Sequence, residues 1–271
     1  MTETHAPFGS LLQAWRRRRR LSQLGLSLEA GVSQRHLSFV ESGRSNPSRE
    51  MVLHLAEALE VPPRERNALL VSAGYAPVLV DRGLDHPDLA AARHAVDAIL
   101  KGHEPNPAIA VDRHWRLVAA NAAVAPLLAG VSEDLLGPAA NVLRLSLHPR
   151  GLADRIPNFR DWRAHVLARL YRQIDVSGDP VLAALLEELK SYPAPRKARP
   201  PTPAAALWGS HAFALELAAP DGTLLKLITT TTVFGTAVDI SLCELAIESF
   251  FPADNETASA LARMSGNAAR E

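Results

Sequence analysis

The residues best able to do chemistry in this chain of 271 residues are not arranged as a catalytic set. No His-Glu-x-x-His, Gly-x-Ser-x-Gly or phosphate-cradling glycine-rich loop is present. Cys243 is the only cysteine. With no second cysteine an intrachain disulfide is impossible and a reducing compartment fits; Cys243 is expected in a strand and has no adjacent base in sequence. The ten histidines are scattered without cysteine partners, which speaks against a structural zinc site. What does cluster is polar and basic chemistry near the N-terminus. Arg16 to Arg20 are five consecutive arginines. Residues 1–75 carry ten arginines against seven acidic residues, a local +3 in a chain of zero formal charge. Such an excess points to a polyanion partner for this part.

A second concentration of hydrogen-bonding side chains lies in Ala30 to Arg44, AGVSQRHLSFVESGR. At about 100° per residue, Gln34, Arg35, Ser38 and Ser42 share one helix face, and Leu37 and Val40 the opposite one. Either the polar face is only solvated, or it reads something. The answer depends on the elements that hold it. Gly31 supplies the left-handed backbone that a tight turn between two steeply angled helices needs. Ser33 then caps the second helix, as Ser22 and Ser48 cap their own. Leu26, Ala30, Val32, Leu37 and Val40 fall where the two helices pack.

Around this pair, residues 8–75 read as about five short helices with no strand signal. Residues 77–88, with Pro77, Gly83 and Pro87, form a linker, so domains are expected over 1–76 and 89–271. At 47% hydrophobic composition, both can hold real cores. In the second domain a long helix is expected over 87–101 and short strands over 107–112 and 115–120. Helices follow over 121–128, 158–174 and 180–189, and then a proline-rich surface loop over 192–203. Strands over 212–217 and 224–231 flank the Asp221-Gly222 hairpin signal, and a third covers 242–250. Asp254 caps a last helix. Two strands, several helices and three strands make an α+β domain.

The stretch from Ser22 to Glu41, continued by Glu41-Ser-Gly-Arg-Ser-Asn-Pro-Ser48, resembles the helix-turn-helix of Cro/repressor-type (XRE-family) regulators. The resemblance implies a five-helix, lambda-repressor-like DNA-binding domain and double-stranded DNA as partner. It places Gln23 on phosphate and against the reading helix, and Gln34 and Arg35 at base edges. Gln pairs naturally with adenine and Arg with guanine, through two hydrogen bonds each. Ser33 stands at the capped end of the same helix, and Ser38 contacts base or phosphate. Arg44 and Asn46 hold the backbone, and Arg16, Arg17 and Arg19 add charge. Phe39 is either a rim packing residue or a thymine-methyl contact. Two positions depart from the family pattern. Gly25 stands where a helix former is usual, and Ser27 replaces an alanine, so its hydroxyl needs a partner.

Further motifs resemble the MmyB-like branch of these regulators. They are Leu69-Leu-Val-Ser-Ala-Gly-Tyr-Ala-Pro77, Pro107-x-x-x-Val-Asp-x-x-Trp-x-x-Val-Ala-Ala-Asn121, Phe234-Gly-Thr-Ala-Val-Asp239 and Glu244-Leu-Ala-Ile-Glu-Ser-Phe-Phe-Pro-Ala-Asp254. This implies a PAS-like ligand-binding domain, a five-stranded antiparallel sheet with helices, and a fatty acid or similar lipid as ligand. Pocket candidates are Trp115, Asn121, Phe159, Trp162, Val166, Leu170 and Phe213. Apolar pockets and cores use the same residue types, so ordinary packing stays open for each. Asn121 equally fits turn or helix capping.

The resulting expectation is a cytoplasmic, homodimeric, sequence-specific DNA-binding transcriptional regulator that senses a small apolar ligand. It is not an enzyme, has no metal or cofactor beyond such a ligand, and has no membrane partner. The alternatives are a helix-turn-helix adaptor that acts through protein partners, or an enzyme on the second domain.

Overall fold

The computed structural model describes residues 6–80, 82, 86–138, 140–201, 214–234 and 239–268. Contacts divide the chain into two compact units, Met1–Arg82 with Val238–Ile240, and Gly83–Ala237 with Ser241–Glu271. The pocket candidate Phe213 lies outside the described residues.

The first unit holds α1 (Phe8–Arg18), α2 (Gln23–Glu29), α3 (Gln34–Glu41), α4 (Arg49–Ala58) and α5 (Pro63–Ser72). Three of them begin on a serine oxygen that accepts a backbone N–H: Ser22 from Gly25 at 2.9 Å, Ser33 from His36 at 3.2 Å and Ser48 from Met51 at 3.2 Å. Each bond satisfies an amide that the helix itself leaves open. Gly31 turns the chain between α2 and α3 with φ +61°, as the reading of that turn requires. Leu12, Leu26, Leu37, Val40, Leu55 and Leu70 meet in the core. The Ser27 hydroxyl donates to the Leu24 carbonyl at 2.8 Å, so its polarity is satisfied within α2. A Cβ at Gly9 would lie 2.3 Å from the Glu41 carbonyl oxygen. The start of α1 therefore meets the end of α3 where only hydrogen fits.

The second unit opens with a 3-10 turn at Pro87–Leu89, and α6 (Ala90–Gly102) follows. Next come β1 (Ala108–Val111), β2 (Leu117–Ala120), α7 (Val142–Leu147), α8 (Phe159–Ser177) and α9 (Pro180–Ser191). The chain closes with β3 (Ala214–Ala218), β4 (Leu224–Val233), α10 (Ile240–Cys243), β5 (Ala246–Pro252) and α11 (Asn255–Ala268). The five strands form one antiparallel sheet in the order β2-β1-β5-β4-β3. All four β1 residues are buried because both faces of the strand are covered. Ile109 and Val111 join the large core that includes Phe159, Leu170 and Leu186, while Ala108 and Ala110 pack with Val96 and Leu100 of α6. The Asp221-Gly222 signal makes the β3–β4 turn, with Gly222 at φ +86°. Asp254 caps α11 by accepting the Thr257 N–H at 2.8 Å. That bond, the Thr257 hydroxyl and Lys226 hold its carboxyl down at about 2.

Four local expectations are corrected. The last strand begins at Ala246, not 242, because its ladder starts where Ala246 faces Val111 and Val233. Cys243 therefore ends the single turn of α10 and lies in no strand. Residues 121–128 form a turn and a 3-10 segment, Ala125–Leu128, in which Pro126 has no N–H to continue a longer helix. Trp115 sits in the left-handed region at φ +66°, and β2 starts two residues later. Asp112 makes that turn by accepting from the N–H groups of His114 at 2.8 Å and Arg116 at 2.9 Å. Helix α7 gave no recognisable sequence signal: it has six residues, and its start is fixed by Asn141 accepting from Leu143 and Arg144. Among the described residues, no helix is long and apolar enough to cross a membrane.

Candidate functional site

Among the described residues, two places present chemistry. The first is the N-terminal end of α3. Leu37 and Val40 are buried in the core, which fixes the rotation of the helix. Gln34 and Arg35 are exposed on the other side, and Ser38 is half-buried beside them. Phe39 is also half-buried, and the Arg35 guanidinium lies 5.4 Å from its ring centre, a cation–π contact. Phe39 is thus in contact with a proposed base reader. Arg44 and Asn46 are exposed in the loop after α3, and Arg17 is exposed on α1. The loop is tied down, since the Arg44 and Ser45 amides donate to the Phe39 carbonyl at 2.8 and 3.2 Å. The Tyr75 hydroxyl donates to the Pro47 carbonyl at 2.9 Å.

The arginine run does not act as one block. Arg16 donates to both carboxylate oxygens of Glu41, at 2.6 and 2.8 Å, and to the Leu21 carbonyl at 2.9 Å. Its side chain is 9% exposed and that of Glu41 2%. The expectation that Arg16 adds free charge for phosphate is corrected: its guanidinium is spent inside the unit. Arg19 is corrected in the same way, because it donates to the Leu59 and Glu60 carbonyls at 2.8 Å each and closes the end of α4. Gln23 donates to Glu41 at 2.8 Å and so links the start of α2 to the end of α3. Burial pushes the Glu41 carboxyl up, but hydrogen bonds from Arg16 and Gln23 and the Arg16 charge outweigh it and leave it below its ordinary value. The helical pattern assigned the pole of α3 correctly, but nothing local distinguishes Arg16 from Arg17.

The second place is a cavity of about 130 Å³ in the second unit, between the sheet and α7 and α8. Its wall is mainly aliphatic, with Ile109, Leu117, Leu145, Val166, Leu217 and Leu227 among the lining residues. Trp115, Trp162 and Val166 of the expected set line it. Both tryptophans direct their N–H to partners, Trp115 to Gln173 at 2.8 Å and Trp162 to Ser146 at 2.5 Å. Phe159 and Leu170 are fully buried in the core and are not in the wall, although they lie next to Val166 on the same side of α8. Asn121 is also corrected. Its amide donates to the Leu100 and Asn106 carbonyls at 3.0 and 2.8 Å, and its oxygen accepts the Ala108 N–H at 3.1 Å. It ties the end of α6 to the start of β1, away from the cavity.

Most of the wall lies outside the expected set, and its three titratable residues, His165, Arg169 and Glu248, are among those the reading of the sequence did not single out. Arg169 donates to both oxygens of Glu248, at 2.6 and 2.9 Å, and lies 4.5 Å from the Trp115 ring centre. His165 stacks on Trp162 at 5.6 Å. Burial, then the charges of Arg169 and Arg172, push its imidazole below the ordinary 6.5 and so toward the neutral form. All three positions carried a signal. Trp162, His165, Val166 and Arg169 follow helical spacing along one stripe, and Glu248 alternates with Ala246 and Phe250 on one face of a strand.

Comparison with known families agrees with this division. Residues 92–264 match the MmyB-like transcription regulator ligand binding domain, and residues 7–69 match a helix-turn-helix domain. No curated protein matches the chain.

Proposed function

The chain belongs to the MmyB-like transcription regulators, with a helix-turn-helix domain and a ligand-binding domain, and on that premise we propose how each domain works. The first binds a specific duplex sequence. Gln34 and Arg35 reach base edges in the major groove, the glutamine toward adenine and the arginine toward guanine. Ser38 contacts base or phosphate beside them. The Ser33-capped end of α3, Gln23, Arg17, Arg44 and Asn46 meet the phosphate backbone, which fixes register without reading sequence. The observation that carries this reading is the polarity of α3: two long hydrogen-bonding side chains are exposed at its first turn, while Leu37 and Val40 anchor its other face.

Two copies act together, and present their reading helices about 34 Å apart to a near-palindromic site. The cavity in the second domain takes a small, largely apolar ligand. Fatty acids and similar lipids enter as candidates through the family resemblance, and a long acyl chain requires the wall to spread. The ligand acts by binding one arrangement of the dimer more tightly than another, since tight binding alone shifts nothing.

Enrichment of duplexes from a random library tests the first part. The expected result is a two-fold symmetric motif whose binding weakens steeply as salt rises. A protein that enriches no motif and is indifferent to salt acts through protein partners instead. For the cavity, the test is native mass spectrometry of the purified protein, before and after exposure to a panel of fatty acids and of uncharged alcohols, ketones and esters. Retention of no small molecule removes the sensor reading.

A further inference from the structure

Glu248 is a carboxylate on the middle strand of a five-stranded sheet, on the face toward α7 and α8. It pairs in register with Ile109 of β1 and Thr231 of β4, and its side chain is 6% exposed. A charge there is costly unless it is matched, and a well-packed apolar residue would serve the fold at least as well. Stability therefore gives no reason for a carboxylate at this position, and its place in the cavity wall suggests another.

The match itself is complete on both sides. Arg169 commits both terminal nitrogens to Glu248, and one of them also donates to the Thr231 hydroxyl at 2.8 Å. That hydroxyl donates in turn to Glu248 at 3.0 Å. The two formal charges in the cavity wall cancel at contact distance. The other polar lining side chains are Ser146 and Thr229, which carry no charge, and His165, which burial and its arginine neighbours hold toward the neutral form.

A ligand carboxylate in this cavity meets an arginine that already has its anion. To take Arg169 it must displace Glu248, which leaves a buried carboxylate unpaired, or lie beside it as a like charge. A ligand ammonium faces the same obstacle from Arg169. An uncharged molecule disturbs neither partner. Size adds a second limit, because an engineered protein cavity of about 150 Å³ holds one benzene ring. The volume here is about 130 Å³.

We infer that the cavity selects uncharged, largely apolar molecules of about one ring or a short chain, such as an alcohol, ketone or ester, and that the Arg169–Glu248 pair excludes ionised ones. The inference rests on the cavity being the ligand site. Calorimetric titration of the full-length protein at neutral pH with cyclohexylmethanol, cyclohexanecarboxylate and cyclohexylmethylammonium tests it on one skeleton. The alcohol is expected to bind about tenfold or more tightly than either ion. In Glu248→Gln, where Arg169 faces a neutral amide, the carboxylate is expected to gain at least that factor over wild type. A wild-type carboxylate affinity equal to or above that of the alcohol overturns the inference, whatever the variant does, and leaves the cavity as a ligand site. A folded Glu248→Gln protein with unchanged preference also overturns it. If none of the three binds, the cavity reading itself fails and the selectivity falls with it.

Discussion

Arg16 of α1 and Glu41, the last residue of α3, form a two-pronged ion pair at 2.6 and 2.8 Å, with side chains 9% and 2% exposed. The pair clamps α3 to the helix that carries the arginine run. Gln23 adds a third donor to the same carboxylate from α2. The position of α3, and of the exposed Gln34 and Arg35 it carries, is thus held by an internal charge pair.

Breaking this clamp on one side leaves a buried charge alone. Glu41→Ala is expected to destabilise the first unit by about 3–5 kcal/mol, measured by urea denaturation. The Glu41 carboxyl is held below its ordinary value of 4.5 in the folded protein. Its contribution is therefore present above that value and lost as pH falls through the lowered folded one. Glu41→Gln should remove this part of the acid unfolding limb; an unaltered limb would leave Glu41 without that role.

The arginines separate by function. Arg35→Ala should cost about 1–3 kcal/mol in DNA binding and relax preference at one base pair. Arg17→Ala should weaken binding to all sequences evenly and lower the salt slope by about 1. Arg19→Ala should leave the salt slope unchanged and cost about 1–2 kcal/mol of stability, because its guanidinium holds the Leu59 and Glu60 carbonyls. Binding titrations across salt concentrations distinguish the three.

Two helical glycines should respond in opposite ways to alanine. At Gly25 the nearest atom to a new Cβ is the Ser22 oxygen at 3.4 Å. Gly25→Ala is therefore expected to raise stability by about 0.5–1 kcal/mol. At Gly9 the new Cβ meets the Glu41 carbonyl oxygen at 2.3 Å, and Gly9→Ala should lose about 1–3 kcal/mol. Thermal unfolding of both variants gives the signs.

His165 sets a pH limit on the second unit. Burial, Arg169 and Arg172 hold its folded value below 6.5, while the unfolded chain protonates near 6.5. The stability tied to its neutral form is complete above that pH and declines as pH falls toward the lowered folded value. His165→Gln is expected to flatten this part of the profile of thermal midpoint against pH. A profile of the same shape in the variant would assign the decline to another group.

Much of the fold was legible because its signals are short-range. Ser22, Ser33 and Ser48 mark helix starts through an oxygen and an amide three residues on, and Gly31 and Gly222 mark turns through their own φ. The face of α3 followed from 100° spacing alone. Where two local tendencies compete, reading stopped short: Leu242 and Cys243 resemble strand, yet the ladder begins at Ala246, where partners on β1 and β4 exist.

By itself, then, the sequence determined the two-unit organisation, the helix-turn-helix with Gln34 and Arg35 at its exposed end, and the two-plus-three strand pattern. Tertiary structure decided which polar groups remain available. Arg16 finds its carboxylate 25 positions away, Asn121 its carbonyls 15 and 21 positions away, and Arg169 its carboxylate 79 positions away. Local pattern cannot express these partnerships, because hydrogen bonds and ion pairs depend on distance in space. A guanidinium already bonded inside the protein is identical in sequence to one facing solvent, and only packing separates them.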